Sequence, residues 1–206
     1  MDREPESAIE EDSCCSTDDG FHIEFFLDDL DATDLEALLP HEQLERLRRA
    51  IQATLIAEQV GQAEISVALV SGPRMRELNR QYLQHDYDTD VLSFCLEQSE
   101  EFGFLLGQLI VSVDYARQQS RQLSQAVGHE VSLVQELALY LVHGTLHLVG
   151  YDDQEPADRE EMRQRERACL APLGLTPVWL VEAAEAPTKP LSTAAADRTD
   201  TRESQS

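Results

Sequence analysis

One stretch constrains the fold of this chain more than any other: residues 143–153 have the sequence HGTLHLVGYDD, with the spacing H-x-x-x-H-x-x-G-x-x-D. Two histidines four residues apart lie on one face of a helix, one turn apart. Gly150 follows at the point where helices commonly end in a left-handed cap, which glycine adopts at little cost. We therefore expect a helix that ends near Gly150 and a turn that brings Asp153 back toward His143 and His147.

These three side chains predict a metal site. Two imidazoles and one carboxylate leave a coordination position open, which is typical of a catalytic zinc ion rather than a structural one. We expect one zinc ion, or another divalent transition metal, held by His143, His147 and Asp153. Asp152 is the competing carboxylate, but the spacing after the turn favours Asp153. The alternative for the two histidines alone is a pair packed in an apolar core.

Length and composition indicate the broad class of protein. A chain of 206 residues fits one domain with tails. It has no run of 18 apolar residues, so no membrane span is expected. The acidic N-terminus is unlike a secretory signal. The cysteines at positions 14, 15, 95 and 169 form no CxxC pair, which favours reduced thiols and a cytoplasmic protein. A zinc site built on Cys14 and Cys15 is the less favoured alternative.

The charge of the chain opposes nonspecific binding to nucleic acid. The formal net charge is −24, and residues 21–186 alone hold 29 acidic residues against 12 arginines, a balance of −17. Affinity for nucleic acid comes largely from neutralising phosphates. We therefore expect no DNA binding, and we expect any RNA substrate to be presented by the ribosome or by a protein partner.

Hydrophobic periodicity predicts a single α+β domain over residues 21–182. Residues 1–20 and 183–206 contain few large apolar side chains and are expected to be disordered tails. Strands are predicted over residues 21–27, 63–70, 91–95 and 104–113, and helices over 41–58, 71–83, 115–126, 131–149 and 156–169. The expected architecture is a mixed four-stranded sheet packed with about five helices, with the metal site at the end of a central apolar helix.

Three local features refine this prediction. Asp114 is expected to cap the helix that begins at Tyr115. Gly107, inside a strand, indicates a bulge or a close approach of another backbone. A loop is expected around Glu97 to Glu101, and the final helix, rich in Arg and Glu, is expected to be mostly solvated.

The metal motif is similar to that of the metzincin metalloproteases. Those enzymes carry a glutamate directly after the first histidine, and this glutamate is the general base of the protease. The corresponding position here is Gly144, which has no acid–base chemistry. A peptidase of this type would therefore lack its central residue.

Three blocks of sequence together resemble the YbeY family of ribosomal RNA maturation endoribonucleases. The family pattern H-G-x-L-H-L-x-G-Y-D-H matches residues 143–153 except at its last position. The pattern N-x-x-[YFW]-R-x-x-D-x-x-T-D-V-L-S-F matches NRQYLQHDYDTDVLSF at 79–94, and G-[DE]-I-x-I-S is similar to GQLIVS at 107–112. The order and spacing of the blocks also match, and the similarity extends from about residue 60 to about residue 170.

The resemblance implies a single-strand-specific, metal-dependent endoribonuclease that acts in rRNA maturation and ribosome quality control. Its implied partners are ribosomal RNA or ribosomal particles. The expected chemistry is attack of a metal-activated water on phosphorus, with the ion also polarising a phosphoryl oxygen. The sequence identifies no side-chain general base. The alternatives are a non-enzymatic ribosome assembly factor with a structural metal, or another zinc hydrolase such as a peptidase.

The chain departs from the family pattern at two positions. The third ligand of the family is usually His and is Asp153 here, which is also an acceptable zinc ligand. The family arginine after the aromatic residue is Leu83 here, and leucine cannot bind phosphate. Arg80, one turn earlier, with Arg76 behind it, is the candidate substrate contact. The alternative is that both arginines belong to a solvated face.

Two residues of the second block have open roles. Asp90 would either orient a ligand histidine or cap its own loop. His85 is expected on the surface rather than at the metal.

Overall fold

The computed structural model describes residues 20–30, 39–99 and 103–179. The strands are β1 (Phe21–Leu27), β2 (Gln62–Val70), β3 (Val91–Ser99) and β4 (Phe104–Ser112). The helices are α1 (His41–Ala57), α2 (Gly72–Leu83), α3 (Val113–Val127), α4 (Leu133–Leu148) and α5 (Pro156–Leu170), followed by a short 3₁₀ helix, Ala171–Leu173. The α+β prediction with four strands and five helices is confirmed. The two predicted tails lie outside the described residues, apart from Gly20.

The sheet is mixed, with the strand order β1-β2-β4-β3. Strands β1, β2 and β4 are parallel, and β3 runs antiparallel to β4 at one edge. Parallel neighbours need a crossover connection, and α1 supplies it between β1 and β2. Alternate residues of the central strands, such as Ile65, Val67 and Leu109, are at most 1% exposed and belong to the main core with α1 and α4. On the opposite face, Ile110 packs with Met75 and Leu78 of α2.

Strand β3 is longer than predicted, which corrects the first part of the loop expected at Glu97 to Glu101; residues 100–102 lie outside the described residues. Glu97, Gln98 and Ser99 pair with β4 after a register shift between Cys95 and Glu97. The residues from Cys95 to Gln98 are exposed. Because an edge strand of this kind is solvated, it shows no apolar alternation from which its length could be predicted.

The N-terminal cap of α3 is Ser112 rather than Asp114, which corrects the predicted cap. The Ser112 hydroxyl accepts a hydrogen bond from the Tyr115 backbone N–H at 3.2 Å. The helix begins directly after β4, so the capping position falls two residues earlier than expected. Asp114 lies in the first turn and accepts a hydrogen bond from the Gly72 N–H at 2.9 Å, which ties α3 to the start of α2.

Helix α4 crosses the sheet as the central apolar helix, and 12 of its 16 residues are buried. Two glycines fix its position on β4. A Cβ atom at Gly107 would lie 2.6 Å from Leu148 Cδ1, and a Cβ atom at Gly144 would lie 2.9 Å from Leu109 Cδ2. Each of the two elements thus has a glycine that accommodates a leucine of the other. The close contact at Gly107 is with side chains rather than with a backbone, and the register shift of β3 begins at Cys95, the residue that pairs with Gly107.

Among the described residues, no helix is both long and apolar enough to cross a membrane.

Candidate metal centre

The turn after α4 brings the acidic segment back to the helix. Gly150 has φ of 107°, in the left-handed region that glycine adopts. Its N–H donates to the His147 carbonyl at 3.1 Å, and the Tyr151 N–H donates to the Leu146 carbonyl at 3.0 Å. This pair of bonds is the Schellman motif that ends many helices. The expected glycine cap is therefore present and reverses the chain before Asp153.

His143, His147 and Asp153 come together at this end of α4. Their potential ligand atoms all lie within 4.8 Å of one another. The two Nε2 atoms are 3.0 Å apart, and His143 Nε2 lies 3.9 Å from Asp153 Oδ2. Asp153 is 3% exposed. Asp152 is exposed, and its Oδ1 accepts hydrogen bonds from the backbone N–H groups of Asp153 and Gln154. The structure thus brings Asp153, rather than Asp152, to the histidines.

The hydrogen bonds of the two imidazoles determine which nitrogens carry protons. His147 Nδ1 lies 2.9 Å from the Tyr151 carbonyl oxygen, which can only accept. His143 Nδ1 lies 2.7 Å from Glu166 Oε1, a carboxylate acceptor. Both Nδ1 atoms therefore donate, and the two Nε2 atoms lie 3.0 Å apart. Two unprotonated Nε2 atoms at this distance repel, and either a proton or a metal ion shared between them removes the repulsion.

Two buried carboxylate oxygens at the site also lack a partner. Asp153 Oδ1 and Glu166 Oε2 accept no hydrogen bond from any residue that the structure describes. A buried acceptor left unsatisfied costs free energy, so such groups commonly mark an ion or a water. The donor set of two imidazole nitrogens and one carboxylate suits a divalent transition metal. This buried cluster could hold a metal ion, and its residues fit one.

Burial and neighbouring charges shift the pKa values of the two histidines in opposite directions. Burial, with a contribution from the neighbouring His143, lowers the pKa of His147 and favours the neutral form. Burial also opposes charge on His143, but the hydrogen bond and charge of Glu166, with Asp90 and Asp153, outweigh it and raise the pKa of His143. A proton therefore competes with a metal ion for the His143 side of the cluster.

Two glutamates support the cluster, and sequence reasoning missed both. Glu166, 3% exposed on α5, holds His143 as described. Glu58, the residue after α1, accepts a hydrogen bond from the Tyr151 hydroxyl at 3.0 Å and pairs with Arg165. Tyr151 is also the residue whose carbonyl holds His147, so Glu58 fixes the turn that orients this imidazole.

Helix α5 is mostly solvated, as expected, but one of its faces is buried. Met162, Glu166, Cys169 and Leu170 are buried. Their spacing of four, three and one residues is that of a helix face. Glu166 falls on this apolar face in the sequence, and a charged residue at such a position is the signal that could have identified it as part of the site.

A cleft of about 300 Å³ opens beside the cluster. His143, Asp153 and Glu166 lie in its wall, together with residues of α3, α4 and α5 and Trp179. Asp90 also lies in the wall. Its Oδ1 accepts hydrogen bonds from the Val91 N–H at 2.8 Å and the Thr89 hydroxyl at 3.1 Å, so it caps its own loop.

The structure does not bring Arg76 and Arg80 to this cleft. Both are exposed on α2, and neither is among the described residues of the cleft wall. Arg76 pairs with Asp86 at 2.9 Å. His85 is exposed and stacks on Tyr87, with ring centroids 5.1 Å apart, which places it on the surface as expected.

Comparison with known proteins identifies relatives over the domain. A family model described as Endoribonuclease YbeY matches residues 31–174. The chain is 43% identical over 144 residues to Endoribonuclease YbeY of Moorella thermoacetica, which covers 65% of this chain and 88% of that protein. Identity to the protein of that name from Desulfitobacterium hafniense is 42% over 132 residues, or 60% of this chain and 80% of the relative. Identity to Endoribonuclease YbeY of Bacillus licheniformis is 35% over 157 residues, which covers 71% of this chain and 96% of that protein.

Proposed function

Because the chain belongs to the endoribonuclease YbeY family, we propose that it is a metal-dependent endoribonuclease that cuts single-stranded RNA. Its proposed role is in the maturation of ribosomal RNA and in ribosome quality control. The observation that carries the metal dependence is the buried cluster of the two imidazoles and the Asp153 carboxylate, whose potential ligand atoms all lie within 4.8 Å of one another. The family membership supports RNA as the substrate.

The proposed ligands are His143, His147 and Asp153, and the proposed ion is zinc. Two imidazoles and one carboxylate are a donor set found in catalytic zinc sites. An ion bound there would lower the pKa of a water molecule and polarise a phosphoryl oxygen. The protein's own contribution is orientation: Glu166 and the Tyr151 carbonyl fix the tautomer and the direction of each imidazole.

The packing of Gly144 opposes a peptidase of the metzincin type. A Cβ atom at this position would lie 2.9 Å from both Leu109 Cδ2 and Ser93 Oγ and 3.1 Å from Val91 Cγ2. The helix face that would carry a glutamate base is therefore packed against β3 and β4. A side chain there has neither the space nor the direction to serve the metal cluster.

The acidic surface supports a substrate that is delivered rather than captured. With a balance of −17 over residues 21–186, long-range attraction of naked RNA is weak. We propose that a ribosomal particle or a protein partner presents the RNA in the cytoplasm. Arg76 and Arg80 are proposed to contact a part of the strand away from the cleft.

The decisive experiment measures metal content and RNA cleavage on the same protein. The purified chain should contain about one zinc ion by mass spectrometry of metals and should cut single-stranded RNA. A chelator should abolish cleavage, and added zinc should restore it. RNA cleavage that persists after complete removal of metal would refute metal dependence, and absence of cleavage with any divalent metal would refute the nuclease.

We predict that His147→Ala loses most of its bound metal, because the cluster then keeps two of its three donors. Metal analysis after dialysis against dilute chelator measures the loss. His85→Ala is the matched control, since His85 is exposed and stacks only on Tyr87. Equal metal content in the two variants would show that the cluster is not the metal site.

A further inference from the structure

Two arginines share the cleft with the metal cluster. Arg159 and Arg163 stand four residues apart on α5, and both lie in the wall that contains His143 and Asp153. Residues at this spacing are neighbours on one helix face. The two arginine side chains therefore line the same side of the cleft.

Among the residues that the structure describes, these two arginines have no carboxylate partner. Of the contacts made among the described residues, Arg159 donates to the Gln154 carbonyl at 3.1 Å and Arg163 makes no hydrogen bond or ion pair. By contrast, Arg74, Arg117 and Arg165 each pair with an acidic side chain. Among the described residues, Arg80 and Arg121 also lack an acidic partner, but they are exposed, whereas Arg159 and Arg163 are half-buried. Arg46 is half-buried without an acidic partner as well, but it bonds to Gln43 and does not line the cleft. An unneutralised charge costs more as it leaves water, so this arrangement indicates an anionic ligand.

Aromatic rings form another part of the same wall. Trp179 and Tyr115 both line the cleft and are half-buried. The Arg167 guanidinium carbon lies 4.4 Å from the centroid of the Trp179 ring and covers one face. A flat ligand can therefore stack only on the opposite face of the indole. Bases of single-stranded RNA stack on aromatic side chains, and arginines contact the phosphates beside them.

The size of the cleft suits one nucleotide. A volume of about 300 Å³ lies at the lower end of the range of about 300–1,000 Å³ found for small-molecule sites. We propose that this cleft is a nucleotide subsite, in which Arg159 and Arg163 bind a phosphate next to the one that is cut and Trp179 and Tyr115 receive its base. This inference rests on the proposed function, since it assigns the substrate contacts of the same site.

The acidic residues of the wall make the subsite dependent on metal. Asp90, Glu136, Asp153 and Glu166 oppose the two arginines, which leaves a formal charge of −2 when all four acids are ionised. A divalent cation at the cluster cancels this charge. Phosphate should therefore bind more tightly to the metal-loaded protein than to the metal-free protein.

The single tryptophan of the chain, Trp179, reports on the subsite directly. Nucleoside monophosphates (AMP, CMP, GMP and UMP) and the corresponding nucleosides are titrated into the full-length, zinc-loaded protein while its fluorescence is followed. We expect a saturable change with the monophosphates. Arg159→Gln and Arg163→Gln should weaken their binding by roughly tenfold, whereas nucleoside binding should not change. Arg121→Gln, which removes an exposed charge on α3, is the matched control, and thermal melts establish that each variant is folded.

The outcomes separate this inference from the proposed function. RNA cleavage with an unchanged KM in Arg163→Gln, together with no fluorescence response to any monophosphate, would refute the subsite and leave the nuclease intact. Binding of inorganic phosphate in the absence of any nucleoside response would refute the role of the aromatic residues. Arginine-dependent nucleotide binding by a protein that cuts no RNA would support the subsite and refute the nuclease.

Discussion

At the scale of single residues, the two imidazoles of the cluster are chemically different although they stand one turn apart. His143 donates to a carboxylate, Glu166, and His147 donates to a backbone carbonyl. A carboxylate acceptor raises the basicity of its imidazole more than a carbonyl does. His143 is therefore the stronger donor toward a cation and the stronger competitor for a proton.

The two adjacent aspartates should differ sharply when they are replaced. Asp153→Ala removes a buried carboxylate of the cluster, whereas Asp152→Ala removes an exposed one that accepts only backbone hydrogen bonds. We predict that Asp153→Ala lowers zinc affinity by roughly 10–100-fold or more and that Asp152→Ala has a much smaller effect. Asp153→His should keep the metal, because imidazole is also a zinc ligand. Competition with a chromophoric chelator measures the zinc affinity of each variant. A larger loss of affinity in Asp152→Ala than in Asp153→Ala would show that Asp152 is the ligand.

Glu136 should make the protein less stable as the pH rises. Burial, aided by the charge of Asp90 and opposed by the hydrogen bond from Tyr140, raises the pKa of Glu136 from 4.5 to about 7. Between these two values the folded chain holds a proton that the unfolded chain has released, so the free energy of unfolding falls as pH rises through this window. From about pH 4 to about pH 8 the loss should be on the order of 3 kcal/mol.

The matched variant for this prediction is Glu136→Gln, which keeps an acceptor for the Tyr140 hydroxyl and cannot ionise. Urea denaturation at several pH values, with chelator present so that metal release does not contribute, measures both proteins. As the pH rises, the unfolding free energy of the wild-type protein should fall relative to that of Glu136→Gln. Parallel curves for the two proteins would show that Glu136 has an ordinary pKa.

The residues of the cluster were predictable from sequence, and the residues that support them were not. His143, His147 and Asp153 lie within 11 positions, so helix geometry and one glycine turn were sufficient to bring them together. Glu58 lies 93 positions before Tyr151, and Glu166 lies 23 positions after His143. No local periodicity links such distant positions; the packing of α1 and α5 against α4 creates these contacts.

At the scale of elements, Glu58 joins three segments: the end of α1, the turn after α4, and α5. Its side chain is 11% exposed and bonds to both Tyr151 and Arg165. We predict that Glu58→Ala lowers the free energy of unfolding by about 1–3 kcal/mol, because the Tyr151 hydroxyl loses its acceptor and Arg165 keeps only the Ala57 carbonyl. It should also weaken zinc binding, since Tyr151 then holds His147 less firmly.

Glu45→Ala is the control for this prediction. Glu45 pairs with Arg48 on α1, where both side chains are partly exposed, and helical ion pairs at this spacing contribute about 0.2–0.5 kcal/mol. Chemical denaturation and zinc competition are measured on both variants. A loss of stability in Glu58→Ala with unchanged zinc affinity would show that Glu58 supports the fold but does not orient His147.

The elements themselves followed from sequence where one face is buried. Strand β2 and helix α4 have strong apolar patterns, and their predicted bounds agree with the structure to within two residues. Apolar periodicity did not predict the boundary where both faces of a strand are exposed to solvent, as in the outer half of β3. It also misplaced the boundary where a strand passes directly into a helix, as at Ser112. In both places tertiary context, rather than periodicity, determines the boundary.

At the scale of the whole molecule, the acidic surface limits how RNA can bind. Arg159 and Arg163 place positive charge at the cleft of a protein whose balance over residues 21–186 is −17. We predict that the logarithm of the affinity for a single-stranded oligonucleotide falls with the logarithm of salt concentration with a slope no steeper than about −2.8, as for at most four phosphates neutralised by these two arginines with Arg76 and Arg80. Fluorescence titrations from low to physiological salt measure the slope.

The same titration with Arg163→Gln should reduce the slope by about 0.7, and Arg121→Gln should leave it unchanged. A slope steeper than about −3 would mean that several phosphates are neutralised. That result would require a basic surface elsewhere on the protein and would contradict delivery of the RNA by a partner.

The contact between α4 and β4 has a consequence for how this protein can evolve. Each element receives a leucine at a glycine of the other: Leu148 at Gly107 and Leu109 at Gly144. A methyl group added to either glycine removes the space that the facing leucine occupies. In related sequences these positions should therefore change in pairs: a larger residue in place of a glycine should accompany a smaller residue in place of the leucine that faces it. The four positions should accordingly drift together, more slowly than the rest of the core, because the metal-binding end of α4 keeps its place only while both contacts hold.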